Sequence, residues 1–353
     1  MRTNHLPKAV AATASVLLTT AVLAACGSSS ASPGSQSGKL SNVSVALDFI
    51  PNADNEGVFV AEKLGYFKDA GLNVTVVPYG QTPPDSLVAA GKVNFAIAGT
   101  EGDAIFDVAS GDKVTSVFAV LQHDPDYYGF LASADIKSPK DFCNKTYGGF
   151  GLPFEVPTIR GMIQKAGGPA NCPINVITLG SSAYQALESG KVNFSLFFFS
   201  DIIQAEEQQH AHLRWFQPRA YGIPDQYAAV FIGNNAWLNS HPTQARAFVG
   251  AIQKAYTYIL KNPAQGARIE ADLNPNAVFL PAAIKSSEAM AKSFLLSPNG
   301  QVGVQDLQMW ENYGNFLVHS GVLTGPDGQK LTDPPDWSTF FTNKYLPTGT
   351  GSS

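Results

Sequence analysis

A chain of 353 residues with 44% hydrophobic and 14% charged residues has material for two domains, each with a sizeable core. Its net charge of −5 argues against a nucleic-acid partner, whose phosphates need a clustered basic surface. The same composition excludes a disordered chain.

Residues 1–25 read as an export leader. Arg2 and Lys8 form a charged start, and Ala9 to Ala25 is an apolar run without a charge. Without these residues, 21 basic side chains face 28 acidic ones, a net charge of −7. Leu23-Ala24-Ala25-Cys26 looks like a bacterial lipobox, in which Cys26 is lipidated and becomes the mature N-terminus. The other reading is an ordinary cleaved leader with Cys26 incidental. Gly27 to Gly38 holds only Gly, Ser, Ala, Pro and Gln, the composition of a flexible tether, so residues 26–40 are assigned as a lipid-anchored linker. Changing Cys26→Ser is expected to release the protein from membranes, and unchanged retention in a membrane fraction contradicts the anchor.

The body opens on a strand, Val43 to Phe49, that breaks at Ile50-Pro51-Asn52-Ala53-Asp54-Asn55. Asn52 or Asp54 can cap the following helix, whose apolar face is Val58, Ala61 and Leu64. A strand feeding a polar loop and a helix start gathers N–H groups and short side chains where α/β sheets hold ligands. A turn that merely caps a helix reads equally well here.

The next segment occurs twice. Gly91-Lys92-Val93-Asn94-Phe95 returns letter for letter as Gly190-Lys191-Val192-Asn193-Phe194. A short helix precedes each copy (Asp85 to Ala90, Tyr184 to Ser189), and an apolar strand follows each (Phe95 to Thr100, Phe194 to Phe199). Further upstream, Leu72 to Val77 is answered by Ile174 to Leu179. The chain thus carries one strand–helix–strand unit twice, which predicts two α/β lobes of similar build.

Between the repeats, Val114 to Val120 is a strand, and His123-Asp124-Pro125-Asp126 reads as a solvated loop rather than a metal site. Residues 129–134 are the expected crossing into the second lobe, and Tyr221 to Tyr227 is the return. The lobes are therefore 41–130 with 228–353, and 131–227. Thr146 to Glu155 is a strand and Gly-rich turn ahead of a helix at Val156 to Ala166. It is not G-x-G-x-x-G, so no dinucleotide site is expected. Glu155 either faces a ligand or favours the positive helix end. From Pro242 onward the pattern is helical, with Phe248, Ile252, Ala255 and Ile259 on one face and Met309, Tyr313, Phe316 and Leu317 on another. These read as packing elements.

Cys143 and Cys172 each stand just before a strand of the second lobe. In an exported protein such a pair is expected to be bonded if those strands are parallel neighbours; two free thiols are the other possibility. The bond closes a loop of about 30 residues, worth roughly 3–4 kcal/mol in the chain-entropy account. No catalytic constellation, metal motif or cofactor motif is present: there is no G-x-S-x-G, P-loop, H-E-x-x-H or C-x-x-C. What remains are polar and aromatic loops at corresponding strand ends of two lobes, the layout of a cleft that grips a small molecule.

Three ordered motifs then resemble a known family. Leu47-Asp48-Phe49-Ile50-Pro51-Asn52 with Gly57 to Ala61 and Gly65-Tyr66-Phe67, then Tyr147 to Glu155, then Tyr221-Gly222-Ile223-Pro224-Asp225 resemble type II solute-binding proteins of ABC transporters, in the branch related to thiamine-pyrimidine-precursor binding. The resemblance covers about residues 43–240. It implies a two-lobed type II periplasmic-binding-protein fold and a monomer lipid-anchored at the outer face of the bacterial cytoplasmic membrane. It also implies hand-over of a small aromatic heterocycle to an ABC permease and its ATPase. The departures are Ala53-Asp54-Asn55-Glu56 for the family's T-N-H-T, Phe49 for its Trp, and Phe197-Phe198-Phe199-Ser200-Asp201 for its F-Y-G-W-D. Binding of riboflavin, a sulfonate or nitrate is the alternative, and a pyrimidine-synthase-like enzyme is a further one. Asp48, Glu101, Glu155 and Asp201 on the candidate loops argue against an anion. The expected ligand-binding residues are Asp48, Phe49, Asn52, Thr100, Glu101, Gly151, Glu155, Phe198, Asp201 and Tyr227.

Overall fold

The computed structural model describes residues 39–179 and 182–347. The leader, Cys26 and all but the last two residues of the linker lie outside the described residues.

The chain runs β1 (Ser41–Ala46), α1 (Glu56–Lys63), α2 (Tyr66–Asp69), β2 (Leu72–Val77), α3 (Pro84–Ala89), β3 (Phe95–Thr100), α4 (Glu101–Ser110) and β4 (Val114–Leu121). It continues through β5 (Asp126–Leu131), β6 (Thr146–Gly149), α5 (Glu155–Lys165), β7 (Asn175–Thr178), α6 (Ala183–Glu188), β8 (Phe194–Phe198), α7 (Phe199–Gln209), β9 (Leu213–Phe216) and β10 (Ala228–Asn234). Five helices close it: α8 (Asn235–Ser240), α9 (Pro242–Lys261), α10 (Pro263–Leu273), α11 (Leu280–Ser293) and α12 (Leu307–His319). The strands form two five-stranded sheets, in the orders β2-β1-β3-β10-β4 and β7-β6-β8-β5-β9. β1, β2 and β3 pair in parallel, as do β6, β7 and β8, while β10 and β5 run antiparallel in their sheets.

The repeated pentapeptide does the same work in both sheets. Gly91 and Gly190 end their helices in the left-handed region, with φ of 66° and 71°, where a side chain is strained. Val93 and Val192 are buried, as are Phe95 and Phe194. Asn94 Oδ1 accepts from the Ser44 N–H and Asn193 Oδ1 from the Thr146 N–H, both at 2.8 Å. Each asparagine ties the incoming strand to its parallel neighbour, so the duplicated letters mark a duplicated junction.

The crossing into the second sheet lies earlier than the sequence suggests. β5 pairs with β8 and β9, so the chain changes sheets through residues 122–125 rather than 129–134. The polar letters there are not exposed: Gln122, Asp124 and Asp126 are buried. Gln122 donates its N–H to the Phe294 carbonyl, and Asp124 and His123 are held by Asp225, the latter at 2.7 Å. The solvated loop expected at His123–Asp126 is therefore a fastened, largely buried connection between β4 and β5. The chain returns to the first sheet between β9 and β10.

Phe248, Ile252, Ala255 and Ile259 on α9 are fully buried against the first sheet, with Phe248 stacked on Phe95 at 4.1 Å. Cys143 and Cys172 form a disulfide with Cα atoms 5.4 Å apart, just ahead of the paired strands β6 and β7.

Candidate functional site

The loops that leave the strand ends meet in a cavity of about 130 Å³ between the two sheets. Phe49 to Ala53 after β1 supply one wall, and Phe150 after β6 another. Tyr184 and Gln185 on α6, with Ser200, Asp201 and Gln204 on α7, come from the second sheet's side. The remaining wall is Glu270 on α10 and Val278, Phe279, Ala282 and Ser286 at and on α11. Among the described residues none of the lining side chains is Lys, Arg or His, while Asp201 and Glu270 are acids.

α7 begins where β8 ends, and the Asp201 carboxylate turns back to accept the Phe198 N–H at 3.1 Å. Burial pushes the Asp201 carboxyl up to about 6 despite that bond. The loop carrying Phe150 is held from within. Glu155 Oε1 accepts the Phe150 N–H at 2.8 Å and its Oε2 the Gly151 N–H at 3.2 Å. Burial raises the Glu155 carboxyl, and these donors oppose the rise. Gly151 sits at φ 86°, a left-handed position in which a side chain is strained. Two aromatic contacts, Phe106 on Phe154 at 6.4 Å and Phe199 on Phe294 at 4.8 Å, pack the halves together, and a Lys285–Glu207 ion pair joins α11 to α7.

Of the ten residues expected from sequence, Phe49, Asn52 and Asp201 line the cavity. Asp48 lies behind Phe49, bonded to Asn55 at 3.5 Å, and burial pushes it up to about 6. Asn55 rather than Asn52 or Asp54 precedes α1, and its side chain makes no cap bond. The Phe198 side chain packs on the first sheet's core rather than the cavity. Thr100 caps α4 through the Asp103 N–H at 3.2 Å, a local role. Glu101 Oε2 accepts the Tyr227 N–H at 2.9 Å, and the Tyr227 hydroxyl accepts the Asp306 N–H at 2.8 Å. Thr100, Glu101 and Tyr227 thus fasten the return crossing and do not line the cavity. Gly151 and Glu155 act one step back, through Phe150. Sequence reading passed over Phe150, Tyr184, Gln204, Glu270 and Phe279. Phe150 sits inside the Gly-rich turn and was within reach; the helices holding Glu270 and Phe279 read as packing elements, but here they wall the cavity.

Away from the cavity lining, α4 carries two half-buried acids. Asp103 is pushed up to about 7 and Asp107 to about 8, by burial first and then by the neighbouring Asp85. Among the described residues no three His, Cys, Asp or Glu side chains are arranged to hold a metal ion.

Two five-stranded α/β sheets exchanging one strand each, with a cavity between their loops, define the periplasmic-binding-protein fold. The alkanesulfonate-binding protein SsuA of Xanthomonas axonopodis pv. citri superposes with a TM-score of 0.64 at 11% identity, over 82% of this chain and 96% of that one. The family follows from the sequence itself: the NMT1/THI5 like profile matches residues 52–266, and the chain belongs to that family. Among its relatives, the formylaminopyrimidine-binding protein of Halalkalibacterium halodurans is 29% identical over 309 residues, 86% of this chain and 92% of that one. A yeast protein, 4-amino-5-hydroxymethyl-2-methylpyrimidine phosphate synthase THI13 of Saccharomyces cerevisiae, is 22% identical over 86% of this chain and 87% of its own.

Proposed function

We propose that this chain is the extracytoplasmic solute-binding component of an ABC importer, and that it captures a single-ring, amine-bearing aromatic heterocycle of the thiamine-pyrimidine-precursor kind. The observation that carries the reading is the composition of the cavity wall. Phe49, Phe150, Tyr184 and Phe279 offer ring faces, worth about 0.5–1.5 kcal/mol each beyond the area they bury. The titratable groups on the wall, Asp201 and Glu270, offer acceptor oxygens and no cationic donor. An anion such as a sulfonate or nitrate wants convergent Arg groups or helix starts, and here it meets Asp201 and Glu270.

The binding-protein reading is supported by the similarity to the formylaminopyrimidine-binding protein, which spans most of both chains. The synthase reading rests on a lower identity, and the position of the family's opening His is Asn55 here. In this account the chain is no enzyme, needs no cofactor, works as a monomer tethered through Cys26, and delivers its solute to a permease and its ATPase.

Titration calorimetry with 4-amino-2,5-dimethylpyrimidine, riboflavin and ethanesulfonate tests it. Binding of the pyrimidine alone is expected; binding of the sulfonate or the flavin in its place refutes the ligand class.

A further inference from the structure

Glu270 is fully buried, lines the cavity, and neither of its carboxyl oxygens has a protein partner. An acid left in that state is destabilising unless something else satisfies it. Its surroundings are built around it. Glu56, at the start of α1, is also fully buried and approaches α10 at Gly266, one turn ahead of Glu270. A side chain at 266 would overlap Glu56 Oε1, so the glycine admits the second acid. Glu56 Oε1 lies 3.2 Å from the Ser287 hydroxyl, and Oε2 is without a partner. Asp54, buried nearby, also leaves Oδ1 unpartnered. Glu56 and Asp54 are outside the cavity lining. Glu270 is the one of the three that reaches it.

Resting on the reading above, we propose that Glu270 is the specificity-determining acceptor for the ligand's exocyclic amine. The ring lies among Phe49, Phe150 and Phe279, and its amino edge points toward α10. Burial raises the Glu270 carboxyl, and the adjacent Glu56 keeps both acids from ionising together. A carboxyl that holds one proton presents a donor beside an acceptor, which complements an amino group next to a ring nitrogen. A ligand class follows: heteroaromatics in which an amine adjoins a ring nitrogen. Aromatics of the same size without the amine leave the Glu270 oxygens unsatisfied and are rejected.

A double comparison tests this, using 4-amino-2,5-dimethylpyrimidine and 2,5-dimethylpyrimidine on the wild type and on Glu270→Met. The wild type is expected to favour the amino compound ten- to hundredfold, the range set by leaving buried polar groups without a partner. In Glu270→Met that preference falls to near unity, while the melting temperature stays equal or rises, because an unpartnered buried acid has been removed. Glu270→Ala gives the same reading should Met not fit, and Glu270→Gln, which keeps an acceptor oxygen, retains part of the preference. An undiminished preference in folded Glu270→Met overturns the role of Glu270 and leaves the ligand class standing. Failure of the wild type to bind either compound overturns the ligand class, and this proposal with it.

Discussion

The protein is expected to melt several degrees higher at pH 5.5 than at pH 8.5, the reverse of ordinary acid destabilisation. In the unfolded chain its aspartates titrate near 3.9. In the folded protein burial pushes Asp48 and Asp201 up to about 6, Asp103 to about 7 and Asp107 to about 8. Between pH 4 and 8 the native state therefore holds protons that the unfolded chain has released. Stability falls as pH rises wherever the native state binds more protons. The penalty from these groups is absent below the unfolded value and complete above about 8. Each pKa unit is worth about 1.4 kcal/mol, and even a fraction of the combined shifts amounts to ~2 kcal/mol, or about 3 °C at this chain length. Asp225 opposes the trend: burial raises it, but bonds from His123 and the Asp124 N–H bring it below the usual range. Thermal unfolding in matched ionic strength at the two pH values measures this, and a melting temperature that is flat or rises with pH refutes the account of the buried acids.

The second large effect is expected at Gly149, whose φ is unremarkable but whose Cα hydrogen faces a crowded space. A Cβ there would overlap Glu155 Oε2 and lie 2.5 Å from Tyr147 Cε1. In Gly149→Ala the Glu155 carboxylate must leave, and the Phe150 and Gly151 N–H groups lose their acceptor together. Two N–H bonds to a carboxylate at about 1.5–3 kcal/mol each hold that loop. Their loss frees Phe150 from the cavity wall, and ligand affinity should fall by about a hundredfold; the melting temperature should fall as well, because the same Cβ crowds the buried Tyr147 ring. Glu155→Gln keeps one acceptor oxygen and should lose less. An unchanged dissociation constant in Gly149→Ala would show that the Phe150 loop contributes nothing to the site.

Three glycines show where sequence reading stops. Gly91 and Gly190 announced themselves because a helix end, a lysine and a strand recur around them, and their left-handed backbone is a local demand. Gly149 is legible as permitting close approach, but what approaches is the chain's own Glu155, six residues on. Strands and helices with a clean period, such as β2, β3 and α9, appear at or near their expected bounds. The first crossing does not. Its polar residues look solvated, whereas the fold buries Asp124 and Asp126 beneath Asp225, which lies a hundred residues away along the chain.

Glu270 is the extreme case of the same limit. In Ala267-Arg268-Ile269-Glu270-Ala271-Asp272 it reads as one more exposed helix charge. It is buried because Gly266 lets Glu56 pack against α10 and because α11 covers the other side, a tertiary arrangement with no local signature. The site is thus half legible. The loops that follow corresponding strands could be read from the duplication, and Phe49, Asn52 and Asp201 from those loops. The wall formed by α10 and α11 required the packed structure.

The ligand class itself is open to one direct measurement: mass spectrometry of whatever the protein retains when purified, without denaturation, from its native host. The account predicts a retained small heteroaromatic amine of a single ring, released in proportion to protein and absent from a Glu270→Met preparation. A retained sulfonate, nitrate or flavin would contradict it.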